Sequence, residues 1–320
     1  MKRQNKIVSG IAALAFILPS FAKAEDKSIY GDDNRLDYFE APADMKELAR
    51  SVVSFWKNEH VKLDGATARV ATANFGDALN LCPSEKFREQ PVGAFCSGSL
   101  VAPDVIMTAG HCVRSEYACT GTKFVFGFGI KEAGVMPNNV PANDVYSCAK
   151  LIGREEVGSG ADWALIKLDR PVTGHTPLKY NTADTLRNGD PLLVIGHPAG
   201  LPTKIAGGAT VRNINKPGYF VANLDTYGGN SGSAVFNART HVIEGILVRG
   251  ENDYVWKGSC RVSNVCASDG CRGEDVTKLS AMTAQIPSRQ LPELAADFGD
   301  VKVAGDLPAY EMLRTLSGLN

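Results

Sequence analysis

The amino-acid sequence predicts an all-β fold, a sandwich or a barrel, on three observations. Short apolar runs of strand length recur along the chain, helix-length periodicity is scarce, and 32 Gly and 16 Pro supply breaks. In chain order the runs are 51–56, 123–129, 145–152, 163–168, 191–195, 219–224, 234–236 and 241–249. Their length and β-branched content suit strands, and Gly, Pro, Asn and Asp punctuate them. Helix is expected in two places. The first is 42–49, with Asp44 in its opening turn. The second is the C-terminal tail, at 288–298 with Ser288 as N-cap and at 308–316.

A length of 320 residues allows one large domain or two moderate ones. Apolar residues at 44% and charged residues at 22% are ordinary for a globular protein and exclude disorder and collagen-like structure. A net charge of −1 leaves no electrostatic footprint for nucleic acid.

The chain opens like an export signal. Lys2, Arg3 and Lys6 form a basic start, 7–22 is apolar, and Ala22-Lys23-Ala24 offers small residues at a cleavage site before Glu25. The alternative, a short membrane anchor, falls below the ~20 apolar residues a spanning helix needs. Cleavage there removes Lys2, Arg3, Lys6 and Lys23 and takes the net charge from −1 to −5. All 8 Cys remain, an even number that suits disulfides in an oxidising compartment. Zinc is disfavoured, because there is no C-x-x-C and no His near Cys260, Cys266 and Cys271. No cofactor or metal is expected.

Three segments carry chemistry, and their order matters. An apolar strand leads into Thr108-Ala109-Gly110-His111-Cys112, with Cys96 sixteen positions before Cys112. Asp162 opens the apolar run Trp163-Ala164-Leu165-Ile166, which buries an acid at a strand start. Thr226-Tyr227-Gly228-Gly229-Asn230-Ser231-Gly232-Ser233 is a glycine-rich turn around a serine, followed by the strand Ala234-Val235-Phe236. The other four histidines, His60, His175, His197 and His241, have no such context and read as structural. The rival hydrolase signature G-x-S-x-G is absent: no serine has glycine at both −2 and +2.

These motifs resemble those of the trypsin/chymotrypsin-like serine peptidases, closest to the bacterial glutamyl-endopeptidase-like (V8-like) branch. Gly196-His197-Pro198 and Gly31-Asp32-Asp33-Asn34-Arg35 are similar to further segments of that branch, so the likeness covers roughly 29–286. The resemblance implies two packed six-stranded antiparallel β-barrels with the active site between them. It organises the chain as a signal peptide at 1–24, an N-terminal segment at 25–44, a first barrel at 45–176, a second barrel at 177–286 and a helical extension at 287–320.

The resemblance also assigns roles. Ser231 would be the nucleophile, His111 its general base, and Asp162 the acid that orients the imidazole. The N–H groups of Gly229 and Ser231 would form the oxyanion hole. Cys96–Cys112 is the disulfide expected around His111, and Cys119–Cys148 is expected between the arms of the 123–129 and 145–152 hairpin. Cys82, Cys260, Cys266 and Cys271 leave three pairings open. Asn230 stands where trypsin-like enzymes carry an aspartate, so activation by insertion of a new N-terminus is not expected.

Specificity is the open point. Asp225, six before the nucleophile, would lie at the base of the substrate pocket, beside Thr226 and with Glu274 on the back wall. An acidic floor attracts Lys or Arg. The alternatives are that Asp225 points away and caps a turn, or that Arg249 favours acidic substrates; Leu247 replaces the histidine that glutamyl endopeptidases use. The expected function is an exported serine endopeptidase, secreted or periplasmic, monomeric, acting on protein or peptide, with no nucleic-acid or membrane partner. The alternative is an inactive binding module on the same fold.

Overall fold

A computed structural model describes residues 28–287 of the chain. The signal peptide expected at 1–24 and the helices expected at 288–298 and 308–316 lie outside the described residues. The helix expected at 42–49 is Ala43–Ala49, with Pro42 before its first residue and Asp44 in its first turn.

Six antiparallel strands close the first barrel. Around it run Thr122–Phe126, Val145–Glu156, Asp162–Leu168, Val105–Thr108, Cys96–Ala102 and Val52–Lys57, and the last pairs with the first. Inward residues such as Phe55, Leu100, Ile106, Phe124 and Leu165 are fully buried. Phe55 and Phe124 meet edge to face at 4.8 Å between centroids, the arrangement aromatic quadrupoles favour.

The second barrel repeats the plan. Pro191–Gly196, Ala234–Asn237, Ile243–Arg249, Glu274–Lys278, Tyr219–Ala222 and Lys204–Lys216 follow one another, and Lys204–Lys216 pairs back with Pro191–Gly196. Its core holds Leu192, Val194, Val211, Phe220, Leu247 and Val276. Lys204–Lys216 is the longest strand of this barrel, and the sequence reading missed it. Gly207-Gly208 looks like a turn, but Gly208 at φ +78° sits beside a register shift in the pairing with Pro191–Gly196. A bulge of this kind bends a strand without ending it.

The N-terminal segment is stitched to the second barrel. Ile29–Tyr30 pairs with Val265–Cys266, and Arg35–Asp37 adds a seventh strand beside Lys204–Lys216. Two buried cations hold it. Arg35 donates to Asp33 and to the Tyr227 hydroxyl, and lies over the Tyr227 ring at 4.1 Å. Lys204 donates to Asp37 at 2.6 Å and to Gln90 at 2.8 Å. Burial pushes the Lys204 ammonium down to about 8, against the pull of Asp37.

Four disulfides cross-link the molecule. Cys96 is joined to Cys112 and Cys119 to Cys148. Cys119 lies on the short helix Glu116–Thr120 rather than on a hairpin arm. Of the three pairings the sequence left open, the structure has Cys82–Cys260 and Cys266–Cys271.

Candidate active site

His111 lies in a tight turn, Gly110–Cys112, directly after the strand Val105–Thr108. Its backbone N–H donates to Asp162 Oδ1 at 3.0 Å, and its ring Nδ1 meets Asp162 Oδ2 at 2.6 Å. So close an approach admits only glycine at 110. A Cβ there would stand 2.1 Å from the Glu155 carbonyl oxygen and 2.8 Å from that of Trp163. A carboxylate beside Nδ1 favours the tautomer that carries a proton on that nitrogen.

Asp162 is 1% exposed. Burial raises its pKa, but hydrogen bonds from His111 and the histidine's charge outweigh it and hold the carboxyl below its ordinary value. The second barrel contributes to this position. Asp162 N–H donates to Thr277 Oγ1 at 3.1 Å, and that hydroxyl donates back to the Asp162 carbonyl at 3.0 Å.

Ser231 comes from the second barrel on the loop before Ala234–Asn237. Its carbonyl accepts from Ser97 N–H of the first barrel at 2.9 Å. The Cys96–Cys112 disulfide lies at the same junction, with Cys112 Sγ 3.6 Å from the Ser231 carbonyl oxygen. A ring nitrogen of His111 lies within 4.8 Å of both sulfurs. Bonded to each other, those sulfurs supply no thiolate for a metal. Gly232, at φ +88°, is pressed so hard on Ser97 and Thr108 that a Cβ would come within 2.1 Å of both. The serine loop is thus seated on the His111 turn by backbone contact, and its glycines permit the seating.

Asn230 is buried within that loop. Its Oδ1 accepts from Ser233 Oγ at 3.2 Å, and Gly196 leaves room for the pair. Gly229, at φ +89°, packs on the 197–200 turn, and its carbonyl accepts from Ser97 Oγ at 3.0 Å. The same Ser97 hydroxyl receives His197 N–H at 2.9 Å.

Asp225 is turned to the N-terminal segment. One carboxylate oxygen accepts from Tyr30 N–H at 2.8 Å and the other from Asn34 N–H at 2.9 Å. Burial pushes its pKa up to about 6, against these two bonds. Glu274 is fully buried and accepts from the Tyr30 hydroxyl at 3.1 Å, Thr226 Oγ1 at 3.1 Å and Glu251 N–H at 3.3 Å. Its carboxylate lies against Gly250, where a Cβ would be 1.8 Å away. Thr226 also donates its N–H to the Ser28 carbonyl. Arg249 pairs with Asp275 at 3.1 Å and donates to the Gly160 carbonyl at 2.6 Å, a tie across the two barrels. Sequence reasoning missed the part played by Ser28, Tyr30 and Asn34. Three backbone groups and a phenol do that work, and only the Gly31–Arg35 motif hinted at it.

Residues 96–246 match the family model of the trypsin-like peptidase domain, a span that contains His111, Asp162 and Ser231. That stretch of the chain is thus similar to a trypsin-like peptidase domain. A glutamyl endopeptidase of Bacillus licheniformis is 28% identical over 150 residues, 44% of this chain and 45% of that protein. Chymotrypsin-like elastase family member 3B of Homo sapiens is 36% identical over 75 residues, 23% of this chain and 27% of that protein. The chain thus spans less than half the length of these curated relatives. A solved structure of a Glu endopeptidase in complex with MPD aligns over 79% of this chain and 95% of its own, at 18% identity and a TM-score of 0.44.

The turn beneath Gly229 carries a pH dependence. Burial drives the His197 pKa from 6.5 down to about 4, and its Nε2 is buried with no hydrogen bond among the described residues. The folded state therefore keeps His197 neutral while the unfolded chain takes up a proton. The stabilisation is full above pH 6.5 and is lost as the pH falls toward 4, a loss on the order of 3 kcal/mol. Urea unfolding of wild type and His197→Gln at pH 7.5 and 4.5 checks this. The variant should lose less stability between the two pH values; an equal loss contradicts the assignment.

Proposed function

We propose that this protein is an exported serine endopeptidase in which His111, Asp162 and Ser231 act as a catalytic triad. The observation that carries the reading is the double contact of His111 with buried Asp162 beside the serine loop. A serine hydroxyl is a weak nucleophile until a base takes its proton. His111 Nε2 takes it as Ser231 Oγ attacks the scissile carbonyl. Asp162 holds the ring and stabilises the imidazolium that forms. The N–H groups of Gly229 and Ser231 face the oxyanion. His111 then protonates the leaving amine, the acyl group stays on Ser231, and water releases it by the same steps. The substrate is protein or peptide. Export follows the basic and apolar start of the chain and suits a molecule with four disulfides.

The preference proposed is for Lys or Arg before the scissile bond, carried by Glu274. Three donors converge on it, and it lies against Gly250, just after the strand Ile243–Arg249. Asp225 supports the pocket from behind, where its two oxygens hold Tyr30 and Asn34 of the N-terminal segment.

Kinetics test the triad. Ser231→Ala and His111→Ala should each lower kcat by a factor on the order of 10⁶, and the double variant should fall no further, because the residues act as a unit. Casein cleavage by Ser231→Ala at the wild-type rate would remove the assignment.

A series of chromogenic anilides differing only in the residue before the bond tests the pocket. Lys and Arg should lead, and Glu274→Gln should cut kcat/KM for Lys roughly ten- to hundredfold relative to Leu, the worth of a bond to a charged group. Asp225→Asn should leave that ratio unchanged. Preference for Glu over Lys would sink the proposal.

A further inference from the structure

A recessed surface lies beside the nucleophile loop, and two segments outside the barrels build it. One is the segment between the short helix Phe75–Leu79 and Gln90; the other is the hairpin of Tyr254–Lys257 and Cys260–Ser263. Neither belongs to a barrel. They are welded together around Arg261. The Arg261 N–H donates to the Asn80 carbonyl at 2.8 Å, and its own carbonyl accepts from Cys82 N–H at 2.9 Å. Asn80 Nδ2 donates to the Ser259 carbonyl at 2.9 Å, and the Cys82–Cys260 disulfide closes the joint across 178 positions. The hairpin is pinned to the nucleophile loop as well, because Gly228 N–H donates to Asp253 Oδ2 at 2.8 Å.

The result is a cleft of about 400 Å³ whose lining includes Leu79, Phe95, Gly228, Gly229, Tyr254 and Arg261. Gly229 is two residues before Ser231, and Phe95 directly precedes Cys96 of the disulfide beside His111. Thr226, Gly250 and Glu274, the residues of the proposed acidic pocket, are not part of the cleft's lining. The cleft meets the nucleophile loop at Gly228 and Gly229. In the proposed reaction His111 protonates the leaving group, and Phe95 of the cleft leads into the disulfide beside His111, so the leaving-group half of a substrate would run over this cleft.

The chemistry of this cleft is mixed. Phe95, Leu79 and Tyr254 offer apolar surface, and Arg261 brings a positive charge. Among the described residues Arg261 has no carboxylate within ion-pair reach, and its buried Nε makes no hydrogen bond. Its guanidinium lies 5.6 Å from the centre of the exposed Trp256 ring. Asp253, the acid on the same wall, has one oxygen on Gly228 N–H. A guanidinium with a rigidly held backbone and unused donors is a carboxylate receptor.

We propose that Arg261 is a specificity-determining residue that selects a peptide carboxylate, an Asp or Glu side chain, within the first two positions after the scissile bond. This rests on the peptidase reading above and deepens it. The Cys82–Cys260 weld holds the receptor at a fixed distance from the nucleophile loop.

The test uses internally quenched peptides with one fixed residue before the bond and Glu or Gln at each of the two positions after it. A chromogenic anilide with the same residue before the bond and no amino acid after it is the control. Wild type should prefer Glu to Gln about tenfold in kcat/KM at one position. Arg261→Gln should bring that ratio to about one and leave anilide turnover unchanged, whereas a merely structural role would lower anilide and peptides alike. Arg261→Lys should retain part of the preference, and 0.5 M salt should reduce the wild-type ratio without touching the anilide, so the test survives a Gln variant that does not fold. A wild-type ratio of one, or a ratio that persists in Arg261→Gln, overturns the proposal. Failure of the wild type on anilide and peptides alike would instead defeat the peptidase reading, and this proposal with it.

Discussion

The molecule is arranged around the contact between His111 and the buried carboxylate of Asp162. A carboxylate taken out of water is costly unless donors surround it. Here the His111 ring and backbone supply two, and the strand that carries Asp162 is fixed by the Thr277 hydroxyl from the other barrel. To let the His111 backbone reach so far in, residue 110 must lack a side chain. The Cys96–Cys112 disulfide then ties the turn to the neighbouring strand, and Ser97 on that strand holds the backbone of the serine loop. Burial, hydrogen bonding and cross-linking thus bear on one small volume where the two barrels meet.

The second organising element is the N-terminal segment. It sends two N–H groups to Asp225, a phenol to Glu274 and a guanidinium to Tyr227. These contacts fall on the loop that precedes Ser231 and on the strand behind it. Buried charges here find partners from distant parts of the sequence, as Arg35 does in Tyr227 and Lys204 in Asp37 and Gln90. Shape in this region comes from polar pairing as much as from apolar packing.

Much of this was legible in the sequence. His111, Asp162 and Ser231 stand in short motifs whose order and flanking apolar runs mark strand ends, and most barrel strands announce themselves as β-branched runs between glycines. Three things were not legible. Lys204–Lys216 hides a bulge behind Gly207-Gly208, because a bulge and a turn use the same residue. The role of Asp225 depends on backbone donors far away in the chain, which carry no residue signature. The pairing of Cys82 with Cys260 depends on two segments outside the barrels meeting in space, and four cysteines without distinguishing context leave that choice open. Local chemistry is written in local sequence, whereas partners brought together by the fold are not.

The central claim is that Ser231 is a nucleophile made reactive by the His111–Asp162 pair. Its most direct test is reaction of the native protein with a fluorophosphonate, followed by peptide mapping of the adduct by mass spectrometry. The account predicts a single adduct on Ser231 that disappears when the protein is unfolded first and is strongly reduced in His111→Ala. A folded protein that takes no label, or takes it on another serine, would contradict it.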